Sequence, residues 1–277
     1  MWDILSLEFM QNAIWASLLV SLVCGIVGSL VVVNRMVFLA GGVAHTAYGG
    51  VGIAIFWGLP VMPTTIAFTL LAALGIASAT VGRKFNTDTV IGIFWATGMA
   101  LGIILMDLSP GYRVDLMSYL FGSILSVPGI DIWIMGAVDI VVLALVLLLY
   151  KNFLAITFDQ EFARTRGVPV TGLYFLLMVM IALSVVMIIR LVGLILVIAL
   201  LTIPPYLAQR RANSLGKMMF LAVLWSIFFC LAGLFIAYQF NLTSGATIVG
   251  TGAICLSLML GWEQVKKAIS SYRVQYR

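Results

Sequence analysis

Two ionisable side chains fall about halfway along apolar runs, where charge is costly. His45 is the only histidine of the chain and lies between Gly41-Gly42 and Gly49-Gly50-x-Gly52, while Asp139 lies in a later run. In hydrocarbon such groups need a protein interior or a water-filled path, so they are candidate pathway residues by default. Imidazole with carboxylate suits a borderline divalent transition metal such as zinc, manganese or ferrous iron. A site that must release its ion should not be a closed tetrahedral cage. The glycines would allow another backbone to approach closely, or allow the helix to open and present its carbonyls. The plainer alternatives are that His45 hydrogen-bonds a neighbouring helix and that Asp139 is a satisfied polar contact.

The elements that must hold these residues follow from composition. With 63% hydrophobic and 9% charged residues over 277 positions, the chain is far below the roughly 25% charge of a soluble domain. It reads as an all-α, multi-pass membrane protein forming a single transmembrane domain over residues 1–277. Nine apolar segments fall near 10–33, 37–58, 61–81, 89–107, 130–150, 171–190, 191–208, 218–239 and 245–261, against about 20 residues needed per crossing. Only Arg190 divides 171–208, so eight crossings with one bent or partial helix is a real alternative. Residues 1–9 carry Asp3 and Glu8 and no Lys or Arg, so the first run is expected to remain as a helix.

Basic residues set the orientation. With the N-terminus outside and the C-terminus cytoplasmic, Arg35, Arg83, Lys84, Lys151, Arg164, Arg166, Arg210, Arg211, Lys217, Lys266, Lys267, Arg273 and Arg277 face the cytoplasm. Only Arg113 and Arg190 fall outside, the asymmetry that the positive-inside rule produces. The net charge of +5 is therefore no sign of nucleic-acid binding. Asp3, Glu8, Asp107, Asp115 and Asp131 gather on the outer side, where they would attract cations.

Between Ser109 and Gly129 the apolar run Leu116 to Val127 is too short to cross and reads as a re-entrant or interfacial segment. Pro204-Pro205 should bend or end the seventh segment near its inner end. Gly98-x-x-x-Gly102 has the spacing of close helix packing. Lys151 to Val170 turns polar. Within it Asp159 can cap a short helix with Glu161 in its first turn, Arg164 and Arg166 near its last, and Gly167 as its stop. Such a helix is a handle for a cytoplasmic partner. Phosphate-loop, zinc-protease and nucleophile-elbow motifs are missing from the sequence, which argues against an enzyme. Cys24, Cys230 and Cys255 lie singly in apolar runs and suggest neither disulfides nor a zinc cluster.

Several stretches together resemble the permease subunits of the zinc/manganese/iron class of ATP-binding-cassette importers. They are Asn34-Arg35-Met36 leading to Gly42-x-x-His45 and Gly50; Asp88-Thr89-x-Ile91-Gly92-Ile93; Tyr119-Leu120-Phe121-Gly122; Phe158-Asp159-x-Glu161-x-Ala163 through Gly167; Val192-Gly193-x-Ile195-Leu196-Val197 through Ile203-Pro204; and Ser244-Gly245-Ala246-Thr247. The resemblance implies a homodimer in the cell (plasma) membrane, a cytoplasmic ATP-binding subunit, and an extracytoplasmic metal-binding protein. It implies alternating access driven by that ATPase, which would dock at Asp159, Glu161, Ala163, Arg164 and Gly167. No permanently bound cofactor is expected, only a transported divalent metal. His45 would belong to the translocation site, with Gly41, Gly42, Gly49 and Gly50 serving packing or gating. Members commonly carry an Asp four residues before this His, where this chain has Gly41. Asp139 is the first candidate to supply that carboxylate, and an importer of a non-metal nutrient or an ATPase-independent transporter is the alternative reading.

Overall fold

In hydrocarbon, backbone N–H and C=O groups must be satisfied within the segment, so long apolar runs become helices. The computed structural model describes residues 7–82, 87–109, 122, 124, 127–194 and 196–275, the side chains only to 266, and all its regular elements are helical. In chain order they are α1 (Glu8–Val33), α2 (Val37–Trp57), α3 (Val61–Thr80), α4 (Thr87–Asp107), α5 (Gly129–Phe158), α6 (Gln160–Thr165), α7 (Val170–Val192), α8 (Val197–Gln209), α9 (Leu215–Phe240) and α10 (Ser244–Gln275). Eight are long and apolar enough to cross a bilayer, and α8, with 13 residues, is not. The run 171–208 thus resolves into one full helix ending at Val192 and one short helix beginning at Val197.

Three helices form the centre. α1 packs on α5, α7, α8 and α9, α2 packs on α3, α4 and α7, and α7 also contacts α3. Buried hydroxyls in this centre turn back onto their own helix. Ser17, Ser21 and Ser29 donate to the carbonyls of Ala13, Ser17 and Gly25 at 2.6–2.7 Å, which satisfies them without a partner helix.

The structure corrects three boundaries. α5 continues past residue 150 to Phe158, because Phe153 and Ile156 still face the core and no breaker precedes Asp159. α10 continues past 261 to Gln275. Pro204 and Pro205 lie inside α8 and do not end it. A proline at 205 removes the donor that would pair with the Leu201 carbonyl. That carbonyl instead packs on Gly28 of α1, where an added Cβ would sit 2.5 Å from it.

At one end of the bundle Arg190, in the last turn of α7, bonds Asp131 in the first turn of α5, with Nε donating to Oδ2 at 2.9 Å. Asp131 is buried, so the pair satisfies an otherwise costly charge. Most of the expected re-entrant segment lies outside the described residues. Of it, Gly122 (φ +68°) lies against the Leu191–Gly193 backbone, and the Ile124 amide donates to Ser244 Oγ at 3.1 Å.

The glycines decide how closely helices cross. A Cβ on Gly52 would stand 2.6 Å from Gly102 Cα, and one on Gly98 would stand 2.7 Å from Thr46 Cα, so α2 and α4 meet backbone to backbone. Gly50 meets Thr65 Cα of α3 at 2.9 Å in the same test. Gly92, by contrast, faces open space. Gly102→Ala should therefore destabilise the protein by about 1–3 kcal/mol, as overpacking does, whereas Gly92→Ala should leave it unchanged or slightly firmer. Thermal unfolding of the two variants in the same detergent checks this.

Candidate functional site

His45 occupies the third turn of α2, almost fully buried, at 9% exposure. Its Nδ1–H donates to the Gly41 carbonyl at 2.9 Å. That bond selects the tautomer in which Nε2 keeps its lone pair, the arrangement a metal-binding imidazole requires. One face of the ring is stacked on Trp95 of α4, with centroids 3.8 Å apart and planes 22° apart. Trp95 in turn meets Phe38 at 6.2 Å.

The surrounding glycines have separate tasks. Ile198 of α8 reaches the space above Gly41, 2.7 Å from where a Cβ would sit. Ile91 of α4 fills the corresponding space at Gly42. Gly49 admits the Phe68 ring of α3 and the Gly98 carbonyl of α4, while Gly50 admits the α3 backbone. Gly41 therefore contributes a carbonyl oxygen to the site, and the aliphatic Ile198 stands where a side chain at 41 would point.

Asp139 lies elsewhere. It is on α5, which packs on α1, α6 and α7, and it comes within electrostatic range of the Cys24 thiol of α1. Both carboxyl oxygens are buried without a hydrogen-bond partner among the described residues, a costly arrangement in an apolar interior. Among the described residues no group of three His, Cys, Asp or Glu side chains gathers into a metal site.

A second region stands at the end of the bundle that carries α6. The Asp159 side chain caps α6, with Oδ1 accepting from the Glu161 and Phe162 amides at 2.9 and 3.0 Å. Gly167, at φ +78°, reverses the chain after it. Ala163 is buried against the bundle, whereas Glu161, Arg164 and Arg166 are exposed. Phe158 and Phe162 are also exposed, at 83% and 55%, and Arg166 lies over the Phe162 ring at 5.1 Å. Exposed aromatics among charges of both signs form a surface suited to a protein partner. Beside it is a cavity of about 660 Å³ whose lining includes Arg35, Phe38, Asp88, Ile91, Glu161 and Arg164.

Sequence reasoning missed Trp95. The available signal was its place in α4: tryptophan is enriched at the membrane–water interfaces, yet Trp95 is the ninth residue of a 21-residue span. The Arg190–Asp131 pair was legible only as two charges on the same side.

Relatives extend over nearly the whole molecule. An uncharacterized membrane protein of Synechocystis sp., slr2045, is 49% identical over 262 residues, covering 94% of this chain and 92% of that protein. The manganese transport system membrane protein MntC of Listeria monocytogenes is 35% identical over 242 residues, covering 87% and 86%. Among solved structures, PsaBC from Streptococcus pneumoniae in complex with Fab matches with a TM-score of 0.84 at 34% identity, covering 93% of each chain. The family model for the ABC 3 transport family matches residues 6–261. With eight apolar helices, a matching fold and a match across this length, the chain belongs to the ABC 3 transport family.

Proposed function

We propose that this chain is the permease of a plasma-membrane ATP-binding-cassette importer that carries a divalent transition metal into the cytoplasm. The observation that carries the reading is the fit of a lone, tautomer-fixed imidazole inside a chain whose relatives include proteins named for manganese transport. Manganese is thus the first metal to test, with zinc and ferrous iron beside it, since imidazole accepts all three. The whole chain acts as one permease domain and pairs with a second copy. Transport subunit and ATPase are separate chains, and an extracytoplasmic metal-binding protein delivers the ion. The end of the bundle carrying α6 faces the cytoplasm, in keeping with Arg35, Arg164, Arg166 and Arg210 at that end. ATP binding and hydrolysis alternate access to His45 between the two sides.

Roles divide by region. His45 lines the translocation pathway and ligates the ion through Nε2. Gly41, Gly42, Gly49 and Gly50 set the helix packing around it. Asp139, unpartnered in this conformation, joins the pathway only if α5 and α2 rearrange during the cycle. α6 docks on the ATPase, with Asp159 and Gly167 shaping the helix, Ala163 seating it, and Glu161 and Arg164 contacting the partner.

Three outcomes are expected in vesicles holding the permease with its ATPase and binding protein. ATP-dependent uptake of manganese, zinc or ferrous iron should fall in His45→Ala by more than the roughly 10–100-fold that losing a metal's outer-shell partner costs. Uptake equal to wild type would make His45 structural. Asp139→Asn should reduce uptake to a similar degree if it serves the pathway, and unchanged uptake would restrict its role to the fold. Glu161→Ala with Arg164→Ala should abolish uptake and co-purification of the ATPase while the permease remains inserted; retained coupling would favour a transporter that needs no ATPase.

A further inference from the structure

Resting on the metal-permease reading above, we propose that Trp95 is a positioning residue for His45, holding the imidazole so that its free nitrogen meets the ion and stabilising the charge that binding brings. The assignment starts from the geometry of this one contact. The stack is face to face, with centroids 3.8 Å apart and planes 22° apart. The ring is held independently at its other side by the Nδ1–H bond to Gly41, so the hydrogen bond fixes rotation and the indole fixes the plane.

Trp95 is itself fixed by helix geometry. It lies one turn before Gly98, and Gly98 sits against Thr46, the neighbour of His45. The tight α2–α4 crossing therefore sets the height of the indole relative to the imidazole. Phe38, two turns before His45 on α2, supports the indole and also lines the cavity beside α6. Its position places Trp95 between the imidazole and a cavity wall residue.

The electrostatic need is local. The place above Gly41 is taken by the aliphatic Ile198, and among the described residues no group of three His, Cys, Asp or Glu side chains gathers there. A dication bound at Nε2 draws electron density from the imidazole and leaves it more positive. An aromatic face stacked on such a ring interacts with it as with a cation, and most strongly when the face is that of tryptophan. Trp95 thus supplies, through its π system, part of the stabilisation that an anionic neighbour would supply directly. A tryptophan in mid-span that served only lipid contact would have no reason to stack on the single histidine.

The test uses the permease–ATPase complex in nanodiscs, without the binding protein, so that the affinity read is the permease's own. Mn²⁺ and Zn²⁺ are each titrated by equilibrium dialysis and followed by tryptophan emission. Trp95→Leu should weaken binding about tenfold, whereas Trp95→Phe, which keeps an aromatic face, should stay within about threefold of wild type. The metal-dependent emission change should be lost in Trp95→Phe and in His45→Ala. In the His45→Ala background, Trp95→Leu should have no further effect, because the two residues act as one unit. Wild-type affinity in Trp95→Leu, or an equal loss with and without His45, would overturn the proposal. If Trp95→Leu does not assemble, an undiminished emission change in Trp95→Phe would overturn it instead. Failure of the functional reading looks different: the wild-type complex would then bind neither metal.

Discussion

The structure around His45 depends on one steric constraint, the backbone contact between α2 and its neighbours. Membrane helices gain no hydrophobic drive from packing on one another, so close approach through small residues has to supply the attraction. Gly49, Gly50 and Gly52 on α2 and Gly98 and Gly102 on α4 remove the side chains that would keep these helices apart. Once the backbones touch, the larger neighbours have little freedom. Trp95 must lie over His45, Ile91 must fill the space at Gly42, and Phe68 must lie against Gly49.

The remaining helices support that pair without sharing its geometry. Polar groups of α1 and α7 are satisfied by the back-bonded serines on the helices themselves and by the Arg190–Asp131 pair that joins α7 to α5. Asp139 breaks the pattern. Among the described residues its carboxyl has no hydrogen-bond partner, and neither do the buried hydroxyls of Thr65 and Ser226. Unsatisfied polar groups in a packed interior lower stability and tend to persist where function needs them. For Asp139 that makes a changed conformation the natural place to look for its partner.

The α6 region shows a different economy of structure. Its six-residue helix is too short to be stable alone and is held by the Asp159 cap, the Gly167 reversal and the burial of Ala163. The exposed faces are left for aromatic and charged side chains. The adjoining cavity is lined by Glu161 and Arg164 of α6 and also by Phe38, the residue that meets Trp95.

Much of this was open to reading from residue order. Hydropathy marked the helices because each run must satisfy its own backbone, and the Asp159-to-Gly167 pattern marked α6 because capping and reversal are local chemistry. His45 stood out because an imidazole in hydrocarbon needs a reason. The lengths of α5 and α10, the helical course through Pro204-Pro205, and the choice between eight and nine crossings depended on contacts between distant segments. The separation of Asp139 from His45 was equally hidden: both lie midway along their helices, and depth alone says nothing about which helices are neighbours. Residue order determined what each segment could be, since those preferences act over a few turns. Only the tertiary structure decided that Trp95 stacks on the histidine and that Ile198 fills the space at Gly41, since the crossing of helices joins residues that sequence spacing cannot relate.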